Sequence, residues 1–494
     1  MSFTNSIKKI FEHPLHVAGV VLFFVVHGMA ENKGLIPISE IGFFLLKSFG
    51  FLLLFFMLLK WRKWPLYPAT IVLSFGLFFY LFFGAIQDAL KSTFLASLSK
   101  YSVLLPLFVV LIFVGFRTLK NHSKAATRLN RFLNTLLTVF ILVDLVSLAV
   151  VNNNAALPLV TPHAKLKSQS SVKPNIYLLV MDEYAGEKSL QQNLHFNNQA
   201  FLSKLTEKGF YIASNASSNY ASTPISMASF FEMSYNNWLD LKRPIKAEDY
   251  SICAKKMSES SSMKWLSDLG YETINLSIFD FTGKPSLNQS SFLKQGIQLI
   301  TNKTLASRME RDLIWMVYQY IAPKWDGLAT YLANKGDEGN RKLYQLTLEE
   351  INKDKQQPKF VYTHLMMPHY PYVRDSSGAL RKGNLFQSLT TDQQKGAYLQ
   401  YLNYANTRIL ELLKAIEFKE KGKAIVMVIG DHGYRADPKQ QSCFDTHNNL
   451  VAVYLPQRNY QYLYPSISNV NVFKAVFKST FDSTLVFEKD RCIE

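Results

Sequence analysis

Apolar runs in this chain stop repeatedly on residues that can bind metal or move protons. Asn175–Met181 leads into Asp182-Glu183. Lys359–Met366 carries His364 and leads on to His369 in Pro-His-Tyr-Pro-Tyr. Ala424–Ile429 delivers Gly430-Asp431-His432-Gly433, and His447 stands just before Leu450–Leu455. One run ending in Asp and Gly would be an ordinary turn. Several ending in a carboxylate or an imidazole are what a metal site assembled from distant segments requires. A hydroxyl joins them: residues 217–235 are rich in Ser and Thr, with an apolar helical start after Pro224. Ser222 or Thr223 falls at that helix N-terminus, where free N–H groups and the helix dipole favour an anion. Ser-Thr-Pro is equally an ordinary helix cap with proline in the first turn. Beside a metal cluster, the same geometry suits a nucleophile.

The elements that must position these groups read as α/β. The short apolar runs, with Glu272–Ile278, alternate with helical stretches at Gln199–Lys208, Ser258–Leu269, Lys342–Lys353 and Gln394–Phe418. Continuous apolar strands alternating with helices predict a mostly parallel sheet covered on both faces. Ligands then bind beyond the carboxyl ends of the strands, where the acids and histidines lie. His364 falls inside its run and reads as a hydrogen-bonded core histidine. Arg374, Arg381 and Lys382 read as a solvated loop.

The N-terminal third is different. Runs at about 15–30, 41–59, 66–86, 102–117 and 132–151 each approach the roughly 20 apolar residues that cross a bilayer. Alternate loops carry ten and three Lys or Arg, which places the N-terminus in the cytoplasm. Residues 1–151 are thus expected to be a five-span domain, 152–173 a polar linker, and 174–494 an exported catalytic domain. Residues 1–151 hold fourteen Lys and Arg against five Asp and Glu, so +9 of the net +17 belongs to membrane topology. No basic stripe suggests a nucleic-acid partner. Lys47 and Asp144 lie at similar depth below the outer ends of their spans and are expected to pair, with Lys47 reaching to the outer surface as the alternative. Cys253, Cys443 and Cys492 all fall in the exported part, where one disulfide is chemically accessible.

The order of these motifs resembles the membrane-anchored branch of the alkaline phosphatase/sulfatase superfamily. That branch includes phosphoethanolamine transferases and lipoteichoic acid synthases, with five spans and an exported alkaline phosphatase-like domain. The resemblance rests on Asn-Ile-x(5)-Asp-Glu, the Ser/Thr loop, Pro-His-x-Pro-Tyr, and Gly-Asp-His-Gly before a late His. It implies metal ligands at Asp182, Asp431, His432 and the Thr223 oxygen, with Glu183 matching a second acid used by sulfatases. It implies Thr223 as nucleophile, with Ser222 adjacent, and His369 and His447 near the phosphate. Met227 stands where sulfatases place Arg. An oxygen-rich set with one imidazole suits Zn or Mn better than Ca; Glu183, His369 or His447 would hold a second metal. The resemblance therefore implies an enzyme of the plasma (inner) membrane that moves phosphoethanolamine or phosphoglycerol from a membrane phospholipid to a glycan or lipid acceptor, through a phospho-threonine intermediate. A membrane-anchored hydrolase of phosphate or sulfate esters is the alternative, and a non-catalytic relative that only binds glycan or gates lipid is the third.

Overall fold

The computed structural model describes residues 10–32, 34–152, 173–281, 283–287, 293–354, 356–381, 389–435, 446–481 and 485–493. Most of the expected linker, together with Lys8, Lys9, Lys33, Lys382 and Cys443, lies outside the described residues. The chain divides into two compact units: Met1–Ala156 with Lys294–Trp315, and Leu157–Leu293 with Met316–Glu494.

In the first unit, Ile38–Arg62, Tyr101–Asn121 and Ser123–Val150 are long and apolar enough to cross a membrane. Leu66–Leu81 and Phe83–Lys91 make a fourth such element if counted together, but they meet at 63°. Phe82 leaves helical geometry there, at φ −100° and ψ 13°. The bend is held by the returning 294–315 segment. Gly84 donates its N–H to the Lys303 carbonyl at 2.7 Å, and Arg308 reaches Asp88 at 3.1 Å. The first apolar run forms a 16-residue helix, His16–Glu31. At about 1.5 Å per residue this is roughly 24 Å, short of about 30 Å of hydrocarbon. Five similar runs in sequence thus become three full-length helices, one bent pair and one short helix.

The expected Lys47–Asp144 pair does not form. Asp144 Oδ2 lies 3.2 Å from His27 Nδ1, whereas Lys47 is exposed, its ammonium 4.1 Å from the Phe43 ring centre. Depth along a helix does not fix which way a side chain faces. His16–Glu31 packs along Ser123–Asn152 and turns His27 toward Asp144, while Lys47 points outward from Ile38–Arg62.

The second unit is built on a mixed six-stranded sheet. The strands are β1 (Ile176–Met181), β2 (Tyr211–Ile212), β3 (Glu272–Leu276), β4 (Lys359–Leu365), β5 (Ile425–Gly430) and β6 (Val451–Tyr454), in the order β2-β6-β5-β1-β4-β3. β3, β4, β1 and β5 are parallel neighbours; β6 runs antiparallel to both β5 and β2. Every residue of β1, β4 and β5 is buried; β1 and β5 therefore read as unbroken apolar runs, whereas β4 carries Lys359, Thr363 and His364 into the core. Cys253 is free and buried, and Cys492 is disulfide-bonded.

The Thr223–Glu232 helix is the centre of the packing around the site, with all ten residues buried. Phe230 and Phe231 on it meet Phe473 of the Asn469–Thr480 helix, at ring distances of 4.6 and 5.8 Å, and Phe473 also stacks on Phe477 at 5.3 Å. Phe473→Ala should therefore cost about 3–5 kcal/mol, read as a lower melting temperature of the full chain in detergent. Phe418→Ala, at an 82% exposed position, should change stability by less than about 0.5 kcal/mol.

Candidate functional site

β1 and β5 are adjacent, parallel and in a register that pairs Met181 with Gly430. The next residue on each strand is Asp182 or Asp431, so two carboxylates from distant sequence positions emerge side by side. Gly430 is required by close approach: a Cβ there would sit 2.5 Å from the Tyr184 carbonyl oxygen. Glu183 follows in the left-handed region at φ 62°, uncommon for a residue with a side chain. Its N–H donates to Asp431 Oδ1 at 2.9 Å. The Asp431 carbonyl accepts from Ser226 Oγ at 2.6 Å and from Asn469 Nδ2 at 3.3 Å. These contacts fix the backbone from which Asp431 and His432 project.

Asp182, Asp431 and His432, all fully buried, each offer a ligand atom within 4.8 Å of the others. His432 Nε2 is 3.3 Å from Asp431 Oδ2 and 3.8 Å from Asp182 Oδ1. Its other nitrogen, Nδ1, donates to the Gly433 carbonyl at 2.8 Å, so Nε2 carries the lone pair. Asp182 Oδ1 and Asp431 Oδ2 are buried without a hydrogen-bond partner. Burial and the neighbouring Asp182 charge push the Asp431 carboxyl up to about 7, and burial together with Arg435 lowers His432. Asp182 is held below the usual carboxylate range: burial opposes this, but His369, His364 and His432 outweigh it. Two buried carboxylates and a neutral imidazole with its lone pair turned inward lack one thing, a positive charge. The donor set fits a divalent cation.

Thr223 opens its helix beside this cluster. Ser222 is extended at φ −109° and ψ 123° and makes no side-chain cap. The Thr223 hydroxyl lies 3.3 Å from His432 Nε2 and, at the long limit of hydrogen bonding, 3.5 Å from Asp182 Oδ2. The structure thus brings Asp182, Thr223, Asp431 and His432 together. Glu183 stands outside the three-residue cluster: its Oε1 accepts from the Arg435 N–H at 2.9 Å, and its Oε2 is 3.9 Å from His369 Nε2. His369 also meets the Arg435 guanidinium at 3.1 Å. Burial works against charge on His369, but Asp182 and Glu183 raise its pKa above the ordinary histidine value. His447 is buried, its Nδ1 2.8 Å from Thr446 Oγ1 and its carbonyl accepting from the Ser218 N–H at 2.7 Å.

Two residues the sequence left aside belong to this neighbourhood. His364 is core, as its place in the strand suggests, with Nδ1 2.9 Å from the Tyr362 hydroxyl. Its Nε2 also lies 3.4 Å from Asp182 Oδ2, without hydrogen-bond geometry. Because β1 and β4 pair Val180 with His364, the strand order is the missing signal. Arg435, two residues beyond the Asp-His-Gly turn, spans Ala221 (2.7 Å), His369 and Glu183.

Residues 174–476 match the sulfatase family model. No match is found among curated proteins. Among solved structures, the integral membrane lipooligosaccharide phosphoethanolamine transferase A of Neisseria meningitidis is 12% identical, with 94% of this chain and 95% of that chain covered and a TM-score of 0.39. The C-terminal periplasmic domain of EptC from Escherichia coli, in complex with Zn, is 11% identical over 64% of this chain and 86% of that one, TM-score 0.39. The phosphonate monoester hydrolase of Agrobacterium radiobacter is 11% identical over 62% and 74%, TM-score 0.38. At such low identity and TM-score, these likenesses carry no argument about activity.

Proposed function

The chain belongs to the sulfatase family, and from that premise we propose that it transfers a phospho-head group, phosphoethanolamine or phosphoglycerol, from a membrane phospholipid to a glycan or lipid acceptor. The observation that carries the reading is the Thr223 hydroxyl, buried at a helix N-terminus and 3.3 Å from His432 within the Asp182–Asp431–His432 cluster. In this reading residues 1–151 are the membrane anchor, with the N-terminus in the cytoplasm and the catalytic domain exported across the plasma membrane. A soluble ester needs no such anchor, whereas a phospholipid donor is met in the bilayer.

Asp182, Asp431, His432 and the Thr223 oxygen would hold one divalent ion, Zn or Mn. When bound, the ion supplies Lewis-acid stabilisation of developing negative charge. In the first step the Thr223 hydroxyl gives up its proton as its oxygen attacks phosphorus, the bond from phosphorus to the diacylglycerol oxygen breaks, and the departing alkoxide takes up one proton, so that no net proton is gained or lost. In the second, an acceptor hydroxyl attacks phosphorus, its proton is removed, and the Thr223 oxygen leaves and is reprotonated. The free N–H groups at the start of the Thr223–Glu232 helix face phosphoryl oxygens. His369 shuttles a proton to the leaving oxygen through Nε2 when the Arg435 guanidinium, which otherwise donates to that nitrogen at 3.1 Å, turns to the anion. His447 orients the phosphate.

The test is turnover of head-group-labelled phospholipid by the purified full chain, with a crude glycan and lipid extract as acceptor. Label on an acceptor is expected. Label released only as free head group overturns transfer in favour of the hydrolase reading.

A further inference from the structure

A cavity of about 300 Å³ lined by three arginines lies beside the carboxyl end of β4. Its location is set by Asn340, whose side chain bonds both the N–H and the carbonyl of Met366, at 2.7 and 3.0 Å. Met367 lines it, two residues before His369. Three guanidiniums converge there: Arg341, Arg374 and Arg408. Asp337, 1% exposed, is the one carboxylate in the wall. Arg374 donates to Asp337 at 2.8 Å and to the Gly378 carbonyl, and so is fully committed to holding its loop.

The other two are less satisfied. Arg341 Nε shares the same Asp337 oxygen at 3.3 Å, and its Nη2 makes a 3.5 Å approach to the Asn334 carbonyl. Arg408 lies across two aromatic faces, 5.0 Å from the Tyr404 ring centre and 5.3 Å from Tyr344. One of its terminal nitrogens meets Glu411 at 2.8 Å, and its Nε is buried without a hydrogen-bond partner. Counting Glu411, which is 43% exposed, three positive charges meet two negative ones. Stacking on tyrosine holds a guanidinium plane in place while leaving its edge for a ligand. The edge presents paired N–H donors in the spacing of a phosphate or similar oxyanion.

We propose that this cavity is a binding site for a phosphate-type oxyanion, with Arg341 and Arg408 as its donors and Arg374 and Asp337 as the frame behind them. Its place one loop away from His369 makes it a subsite for a second phosphate on a substrate, either a lipid phosphate or a phosphorylated sugar. That assignment rests on the phospho-transfer reading above, whereas the binding itself does not.

Binding is therefore measured without turnover, on the full chain in neutral detergent with excess chelator present, so that the Asp182–Asp431–His432 centre holds no ion. Two probes are titrated by calorimetry: glucose 6-phosphate as the soluble arm and phosphatidic acid in mixed micelles as the lipid arm. Saturable, chelator-resistant binding is expected in at least one arm, and the tighter arm names the source. R341A/R408A should weaken it about ten-fold or more, while R458A, which removes an arginine outside this cavity, leaves it unchanged. Where the double variant does not fold, Arg408→Gln alone, at a 29% exposed side chain, gives the same comparison. Absence of chelator-resistant binding in both arms, or equal affinity in the arginine variants, overturns the site. Failure of catalysis leaves this result untouched.

Discussion

Thr223→Ala should slow head-group transfer about 10³-fold or more and abolish the covalent adduct that mass spectrometry of quenched wild-type protein is expected to show on residue 223. The size of the effect follows from what the hydroxyl alone supplies. It is 5% exposed at the first turn of a fully buried helix, so water cannot simply take its place without entering a packed wall. It faces His432 Nε2 at 3.3 Å, whereas Ser222 precedes the helix in extended conformation. Thr223→Ser keeps the oxygen and loses one methyl, and should retain most of the activity and the adduct. Ser222→Ala should retain both. The alanine variant should still bind metal through Asp182, Asp431 and His432, which separates loss of the nucleophile from collapse of the site. Full activity in Thr223→Ala would remove the covalent route.

How much of this was legible beforehand depended on whether the cause was local. β1 and β5 announce themselves because burial on both faces demands unbroken apolar runs, and their ends show in the change to Asp, Glu and His; β4 is β-rich but interrupted by Lys359, Thr363 and His364. That Asp182 and Asp431 meet required the sheet order, which no periodicity encodes: the two strands are neighbours only because the chain crosses over between them. His364 illustrates the same limit, since its position within a strand correctly suggests core and says nothing of Asp182 on the next strand. β2, with two residues, is too short to leave a pattern. The break at Phe82 has no local mark either. "LFFYLFFG" contains no proline, and the bend is stabilised by a carbonyl more than 200 residues later, that of Lys303. His16, at the edge of the first apolar run, is buried among three helices, 2.6 Å from Ser74 Oγ and 3.1 Å from Asn130 Oδ1, which its sequence position does not announce. The failed Lys47–Asp144 pair belongs with these, because depth was readable and facing was not.

Asp431→Asn should lower bound metal from about one equivalent to a small fraction, measured by elemental analysis of the purified chain, and cut turnover by orders of magnitude. Its effect on stability should change sign with metal, which a merely structural residue would not do. Asparagine keeps Oδ1, so the Glu183 N–H retains its acceptor. What changes is Oδ2, which in the metal-free protein is buried, unpartnered and repelled by Asp182. Without metal, the variant should therefore melt at or above the wild-type temperature. With metal at about 100 times its dissociation constant, wild type gains about 2.7 kcal/mol that the variant lacks, and the order reverses. The pH dependence follows the same charge. Asp431 binds a proton more tightly in the folded state, near 7, than in the unfolded chain, near about 3.9. Metal-free wild type should then lose stability as pH rises through that window, and Asp431→Asn should lack that component of the slope. Parallel melting curves for the two proteins, with and without metal, would show that Asp431 neither carries the buried charge nor holds the ion.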